Sequence, residues 1–182
     1  MGSEGNIVLS YEDFLRFGAV INSTLDAKLP KRFMGYDVSI GKGGGGIMSH
    51  RVEITSPEEF FLEHLGWNTK DDLKTCDWLQ IPQQKLCTVR CGKLFRDEIN
   101  VQKLRDELHF YPKDLWLYQM ACDWAKIGQE EHFVGRCYDV GDELGASLIT
   151  ARLVHVMMHL CFLMEKEYPP YSKWFGSAFG NL

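Results

Sequence analysis

Residues 148–164 read LITARLVHVMMHLCFLM, and this segment sets the expected fold class. Its apolar side chains occupy most faces of a helix, a pattern typical of a buried central helix. We expect this helix to begin near residue 134 and to continue through Gly141 and Gly145. The segment therefore predicts a helical domain in the C-terminal part of the chain.

Other helices are predicted on both sides of this segment. Their patterns cover residues 56–66, 75–80, 82–89, 100–110, 111–127 and 171–179. The clearest start signal is Ser56, an N-cap residue followed by Pro57 at the first helical position. Gly66 predicts the end of that helix. Because the composition changes just after Gly66, we expect two domains, residues 1–66 and 67–182.

The N-terminal part also contains strand patterns. Ser10 predicts the N-cap of a first helix that ends at Pro30. Residues 32–40 and 47–55 alternate in polarity, which predicts two strands joined as a hairpin by the glycine run 41–46. A phosphate-binding loop would instead open a helix. The sequence therefore predicts an α+β protein, in which a small sheet and one helix pack on a mostly helical C-terminal domain.

The net charge and the lengths of the apolar runs argue against two classes of function. The 182 residues include 20 Lys and Arg against 25 Asp and Glu, a net charge of −5. General coating of nucleic acid needs a basic surface, so that role is not expected. No apolar run approaches the roughly 18 residues of a membrane span, so we expect no contact with a membrane.

The six cysteines favour a reducing compartment. The first residues form no basic-then-apolar export signal, so the chain is expected to be cytoplasmic with reduced thiols. Cys122 and Cys161 lie in apolar helical patterns and are predicted to be buried. Cys87 and Cys91 lie one helical turn apart near Cys76, but they lack the paired spacing of a zinc ribbon. Packed or inert thiols are the favoured interpretation.

Charged side chains in two segments have competing interpretations. Glu53, in the strand pattern RVEIT, is either a metal-binding or general-base carboxylate, or the solvent-facing half of an alternating strand. Glu130, Arg136 and Asp142 belong to the polar segment 127–142 between two apolar helices. These three either line a cleft or form a solvated corner with an Arg136–carboxylate pair.

Two further groups lie near the C-terminal end. Tyr171 and Lys173 follow a Pro-Pro pair and either bind a phosphate or aromatic ligand or anchor the last helix. His155 and His159 lie one turn apart, where a core or interface position is favoured over metal binding. Arg152 with His159 resembles the short Arg–His signature of helical ribonucleases of the HEPN type.

Seven sequence blocks together are similar to a known family. They are HRVEIT (50–55), DWL (77–79), YPKDLW (111–116), IGQEE (127–131), FVGR (133–136), VGDELG (140–145) and YSKW (171–174). In this order they resemble an uncharacterised, mainly bacterial family of domains of unknown function with a nucleotidyltransferase-like fold. The resemblance covers nearly the whole chain from Ser10.

The resemblance implies a sheet of the nucleotidyltransferase type followed by a helical domain. Such enzymes use Mg²⁺ to transfer a nucleotidyl group from a nucleoside triphosphate to an acceptor. Three carboxylates hold the metal, an Asp-x-Asp pair after a Gly-Ser turn and a third acid on a later strand, which Glu53 matches. In such a protein we expect the polar residues named above, Glu130, Arg136, Asp142, Tyr171 and Lys173, to bind the substrate.

The catalytic pair expected from this family is missing. The sequence contains no Asp-x-Asp, so two of the three metal-binding carboxylates are absent. We expect a fragment or shortened member with a sheet remnant, inactive alone as a transferase because one carboxylate cannot hold two magnesium ions. Two alternatives stay open. The first is a non-catalytic module that binds a ligand or assembles, for example as a homo-oligomer. The second is a helical ribonuclease that uses Arg152 and His159.

Overall fold

The computed structural model describes residues 5–37, 39–40, 49–50 and 52–182. The chain divides into two compact units, Met1–Asp72 with Arg96–Val101, and Leu73–Phe95 with Gln102–Leu182. The predicted domain limits of 1–66 and 67–182 stay a prediction, because the units are defined by compactness and not by independent folding. The α+β class is confirmed, since the described residues are mostly helical and include a small two-stranded parallel sheet.

A parallel strand pair joined through a helix organises the first unit. In chain order its elements are β1 (Gly5–Val8), α1 (Tyr11–Lys28), β2 (Arg32–Phe33), β3 (Tyr36–Asp37), β4 (Ser39–Ile40), β5 (Ser49–His50), β6 (Val52–Thr55) and α2 (Pro57–Leu65). Strand β1 pairs parallel with β6, which places Asn6 opposite Glu53 and Ile7 opposite Ile54. Strand β1 is not predicted by the sequence, because four residues are too short to show an alternating pattern.

The predicted strand over residues 32–40 is wrong. Strands β2 and β3 form a tight antiparallel hairpin whose turn residues, Met34 and Gly35, have φ angles of 48° and 86°. Two positive φ angles in succession reverse the chain, so the segment cannot continue as one strand. Strand β4 pairs antiparallel with β5, as the predicted hairpin requires. The glycine run 41–46 lies outside the described residues.

The predicted helix ends in the first unit are confirmed. The Ser10 hydroxyl accepts a hydrogen bond from the Asp13 amide at the start of α1, and the Ser56 hydroxyl accepts from the Glu59 amide at the start of α2. Helix α2 ends at Gly66, which has a left-handed φ of 68°. These interactions are local in the chain, and for this reason residue types at the right spacing predict them.

Six helices form the second unit and its boundary. They are α3 (Thr75–Gln80), α4 (Gln83–Cys91), α5 (Val101–Glu107), α6 (Lys113–Asp139), α7 (Glu143–Glu165) and α8 (Ser172–Phe179). The predicted helix from residue 134 to residue 164 is wrong, because α6 continues through the polar segment and the break falls later. Gly141 has a φ of 75°, and the Asp142 carboxylate caps α7 by accepting from the Gly145 amide. Left-handed backbone and a new N-cap end one helix and begin the next.

Helix α7 is buried mainly along one face, and Phe162 on the other side is also buried. Leu153, Val156, Leu160 and Leu163 are buried, whereas large apolar side chains such as Leu148 and Met157 are exposed. The expected buried central helix is therefore buried only in part.

By length and composition, α7 is apolar enough to cross a membrane, and 28% of its most apolar window is buried. The prediction that no segment reaches this length and apolarity is therefore wrong. One such helix is weak evidence for a membrane span, because the core helix of a soluble protein meets the same criterion.

Candidate functional site

A cleft in the second unit brings several polar side chains together. It has a volume of about 300 Å³ and lies beside the start of α4, the middle of α7 and the start of α8. Its polar lining residues are Gln83, Gln84, His155, His159, Tyr171 and Ser172. Three prolines and Phe175 supply the apolar part of the wall. A concave apolar wall with a few converging polar groups is the usual form of a small-molecule site.

His159 connects three helices at the bottom of this polar cluster. Its Nδ1 lies 2.5 Å from Oδ2 of Asp123 on α6, and its Nε2 lies 2.7 Å from Oε1 of Gln83 on α4. The side chains of His159 and Asp123 are only 19% and 17% exposed. Because both ring nitrogens have partners, the imidazole connects α4, α6 and α7 in this arrangement.

Two more side chains extend the network away from the cleft. The Gln83 side-chain amide donates to Oε1 of Gln119 at 2.9 Å. Burial raises the pKa of the nearby Tyr111 phenol, and the side chains of Gln119 and Gln83 oppose this shift in part. The polar groups between α4, α6 and α7 are therefore mutually satisfied, as buried polar groups in folded proteins usually are.

His155 forms a flat surface at the side of the cleft. Its ring stacks on Phe175 with a centroid separation of 4.5 Å and an interplanar angle of 10°. His155 itself is exposed, whereas Phe175 is buried. A planar ligand could extend this stack from the solvent side.

The structure separates the substrate-binding residues predicted in the polar segment. Glu130 forms an ion pair with Arg152, with 2.7 Å between Oε2 and Nε. The Arg136 guanidinium lies 5.7 Å from the centre of the Phe133 ring. Asp142 is the N-cap of α7 and accepts a hydrogen bond from the Gly145 amide at 2.8 Å. Asp142 therefore has a structural task, and all three predicted side chains lie outside the lining of the cleft.

Of the two residues predicted on the last helix, one lines the cleft. Tyr171 is exposed and lies at the N-cap position of α8, on the cleft wall. Lys173 lies two residues further, with its Nζ 5.3 Å from the centre of the Trp174 ring. Substrate binding by Tyr171 and Lys173 stays a prediction.

Arg152 and His159 lie on the same helix but contact different partners. Arg152 pairs with Glu130, and His159 contacts Asp123 and Gln83. A ribonuclease that uses the two side chains together stays a prediction.

The residues that the sequence analysis missed are Asp123, Gln83 and Gln119. One signal could have found two of them, since Gln119 and Asp123 follow the buried Leu115 at intervals of four residues on α6. Polar side chains at that spacing share the core-facing side of the helix and need partners there. The identity of those partners depends on the tertiary structure.

Glu53 lies in the first unit, on β6. Its side chain is exposed, as is that of Asn6, its register partner on β1. Helix α1 packs on the opposite face, where the buried Gly18 leaves space beside Ile54. Register partners in a sheet point to the same side, so Glu53 and Asn6 present a carboxylate and an amide oxygen on one open face.

This pair of oxygen donors fits only part of a nucleotidyltransferase metal centre. Mg²⁺ prefers oxygen ligands and often takes one or two carboxylates, with substrate phosphates and water completing its shell. In the ranges that the structure describes, no group of three His, Cys, Asp or Glu side chains could hold a metal ion. Glu53 and Asn6 are therefore oxygen donors of the type that magnesium takes, but two such side chains do not fit a two-metal centre.

All six cysteines fall within the described ranges and are free. The prediction that Cys122 is buried is wrong, because it lies on the exposed side of α6. Cys161 is half-buried on α7. Cys87 and Cys91 contact each other through their sulfur atoms at 3.5 Å.

One comparison with known proteins gives a match. The family model described as "Domain of unknown function (DUF4037)" matches residues 78–175, just over half of the chain. No curated protein and no solved structure matches. The matched segment runs from α3 to α8 and includes the whole lining of the cleft. The expected kinship with a domain-of-unknown-function family is thereby confirmed.

Proposed function

Because the chain belongs to the DUF4037 family of domains of unknown function, we propose its function from its own residues. We propose that the chain is part of a nucleotidyltransferase-like protein. The proposed substrate is a nucleoside triphosphate, and no acceptor is assigned. The observation that carries the proposal is the exposed Glu53 carboxylate on a parallel strand pair joined through α1. We further propose a bacterial origin and a cytoplasmic location, where the free cysteines would stay reduced.

Glu53 would bind the nucleotide through a magnesium ion. A triphosphate is strongly anionic and the chain has a net charge of −5, so direct binding is unfavourable without a cation. When bound, magnesium neutralises phosphate charge. Glu53 and Asn6 would orient the ion from the open face of the strand pair. Because the sequence has no Asp-x-Asp, this chain is expected to bind a nucleotide without transferring it.

Calorimetric titration with ATP, GTP, CTP and UTP tests the proposal. We expect binding that requires Mg²⁺ and disappears with a chelator. Glu53→Gln should weaken it at least about tenfold, which corresponds to roughly 1.4 kcal/mol. Glu63→Gln is the matched control, since Glu63 is exposed on α2 in the same unit. Absence of heat with all four nucleotides would contradict the proposal.

A second candidate, a non-catalytic ligand-binding module, rests on the cleft. Its flat His155–Phe175 pair and its hydroxyl and amide groups suit a small ligand with a planar ring. The same titrations separate the two candidates. Nucleotide binding that His155→Ala abolishes and Glu53→Gln leaves unchanged would favour the module. The reverse result would favour the nucleotidyltransferase-like site. A homo-oligomer stays a prediction that light scattering tests.

A further inference from the structure

Two cysteines at the C-terminal end of α4 form a contact that the proposed function does not use. The Sγ atoms of Cys87 and Cys91 are 3.5 Å apart. Cys87 is buried, whereas Cys91 is exposed and is the last residue of the helix. Residues four apart on a helix are neighbours on its surface, so the secondary structure itself brings the sulfurs together. An exposed cysteine is thus in contact with a buried one.

The two thiols differ strongly in acidity. The hydrogen bond from Cys87 lowers the pKa of Cys91 to about 6, and the charges of Arg90 and Arg105 act in the same direction. Burial and Glu167 oppose this shift only in part. The same hydrogen bond, together with burial, raises the pKa of Cys87 far above its ordinary value of 9.0. The lowered pKa of Cys91 favours its thiolate, with the Cys87 thiol as the hydrogen-bond donor.

Arg105 makes the end of α4 suitable for a negative sulfur. The buried Arg105 side chain donates from Nη2 to the backbone carbonyl oxygens of Arg90 and Gly92, the latter at 2.6 Å. The C-terminal end of a helix has negative electrostatic potential, which disfavours a thiolate. A guanidinium bound to these carbonyls offsets that potential beside Cys91. Arg90 is also paired with Glu167, with 3.7 Å between Nη1 and Oε2.

We propose that Cys87 and Cys91 form a peroxide-sensitive dithiol, in which Cys91 reacts with a hydroperoxide and Cys87 closes a disulfide. The Cys91 sulfur attacks one peroxide oxygen, an S–O bond forms, the O–O bond breaks, and the leaving oxygen takes a proton from water. Cys87 then loses its proton to solvent and attacks the sulfur of the Cys91 sulfenic acid. The S–S bond forms, the S–O bond breaks, and water leaves. Two thiols are oxidised while one peroxide is reduced by two electrons.

The disulfide requires the last turn of α4 to unwind. Residues four apart in a helix have Cα atoms about 6 Å apart, within the range that disulfides span, but their Cβ atoms are about 5–6 Å apart, farther than the roughly 4 Å of a disulfide. The sulfurs must close from 3.5 Å to about 2 Å. Gly92 follows Cys91 with extended backbone, at φ −69° and ψ 145°, so only the last turn of α4 must adjust.

Peptide mass spectrometry of the full chain tests the proposal. The reduced protein is treated with hydrogen peroxide at pH 7, and remaining thiols are blocked by alkylation before digestion. Trypsin cleaves after Lys85, Arg90 and Lys93, so Cys87 and Cys91 fall in separate peptides, residues 86–90 and 91–93. We expect these two peptides joined by a disulfide. Cys76, exposed on α3 without a neighbouring cysteine, is the internal control and should remain alkylated.

Two variants identify the order of the steps. With Cys87→Ser, Cys91 should still form a sulfenic acid that dimedone traps, but no disulfide should follow. With Cys91→Ser, neither product should form, and this exposed position tolerates the change. Separate alkylated peptides from the treated native chain would overturn the proposal. So would a linkage of either cysteine to Cys76 in equal amount.

The rate of alkylation provides an independent readout of the thiolate. At pH 7, a pKa of about 6 in place of 9.0 raises the thiolate fraction about 90-fold. Lower basicity reduces the nucleophilicity of that thiolate by about 20-fold. Cys91 should therefore react with iodoacetamide about fourfold faster than an ordinary thiol, with a rate midpoint near pH 6. A midpoint near pH 9 would overturn the assignment of Cys91 as the reacting thiolate.

Discussion

Asp123 shows how much one side chain contributes to the helical unit. It lies on α6, and its carboxylate is hydrogen-bonded to Nδ1 of His159, a residue 36 positions further along the chain. His159 in turn reaches Gln83 on α4, so a single carboxylate supports the junction of three helices. A partly buried polar group that loses its partner keeps the cost of its desolvation without compensation. The loss of one polar side chain is therefore expected to cost more stability here than the modest net free energy of one hydrogen bond.

We expect Asp123→Ala to lower the free energy of unfolding by about 1–3 kcal/mol, because it leaves Nδ1 of the half-buried His159 without a partner. Urea denaturation followed by circular dichroism measures the change. Glu131→Ala is the control on the same helix, since Glu131 is exposed, and its effect should stay within about 0.5 kcal/mol. Equal losses for the two variants would show that the Asp123–His159 contact contributes nothing.

The break between α6 and α7 shows that local backbone conformation outweighs composition. The polar segment before it stays helical, and the chain turns only where Gly141 adopts a φ of 75°. Gly135, by contrast, lies within α6, and nothing lies within 4 Å of where its Cβ would be. The two glycines therefore have opposite effects on stability.

Alanine substitutions at these glycines should change stability in opposite directions. Gly141→Ala should destabilise by about 1–2 kcal/mol, because an L side chain disfavours left-handed backbone. Gly135→Ala should stabilise by about 0.5–1 kcal/mol, since alanine loses less entropy in a helix. Thermal unfolding of the two variants measures both signs. The same sign for both would contradict the structural difference between the two positions.

Helix α7 offers another pair of matched substitutions, one at a buried position and one at an exposed position. Leu160→Ala removes a buried side chain and should cost about 2–5 kcal/mol, because the cavity cannot close fully. Met157→Ala, on the exposed side, should cost about 0.5 kcal/mol or less. Denaturant titration compares the two. Similar losses at both positions would indicate that Met157 is covered in solution.

The division into two units gives an expectation for the whole molecule. The second unit includes α6 and α7, the cleft and the cysteine pair, all within residues 73–182. Each polar side chain of the cleft network has its partners inside that range. The polar network of the helical unit is therefore complete within residues 73–182.

Residues 73–182 expressed alone should fold. We expect a helical circular dichroism spectrum and one cooperative thermal transition, since the buried residues of α6 and α7 are retained. The peroxide-induced linkage of residues 86–90 to 91–93 should also persist. A gradual, non-cooperative transition would show that this unit needs the first one to fold.

Local chemistry made much of the architecture predictable. Ser10, Ser56 and Gly66 interact with backbone groups a few residues away, so their types and spacing suffice to place the helix ends. The approach of Cys87 to Cys91 follows in the same way from helical spacing. The α+β class could be predicted for the same reason, because periodicity is a local property of a chain.

Contacts between distant residues could not be predicted in this way. The parallel pairing of β1 with β6 joins residues about 47 positions apart, as with Asn6 and Glu53, and Gln83 meets His159 across 76 positions. Many polar residues could satisfy the same partner, and neither spacing nor residue type selects one. The choice is made when the apolar faces of the helices pack, because packing fixes which polar groups are buried together and must pair. For this reason the sequence indicates Glu53 and Tyr171, while the cleft around His159 emerges only from the folded chain.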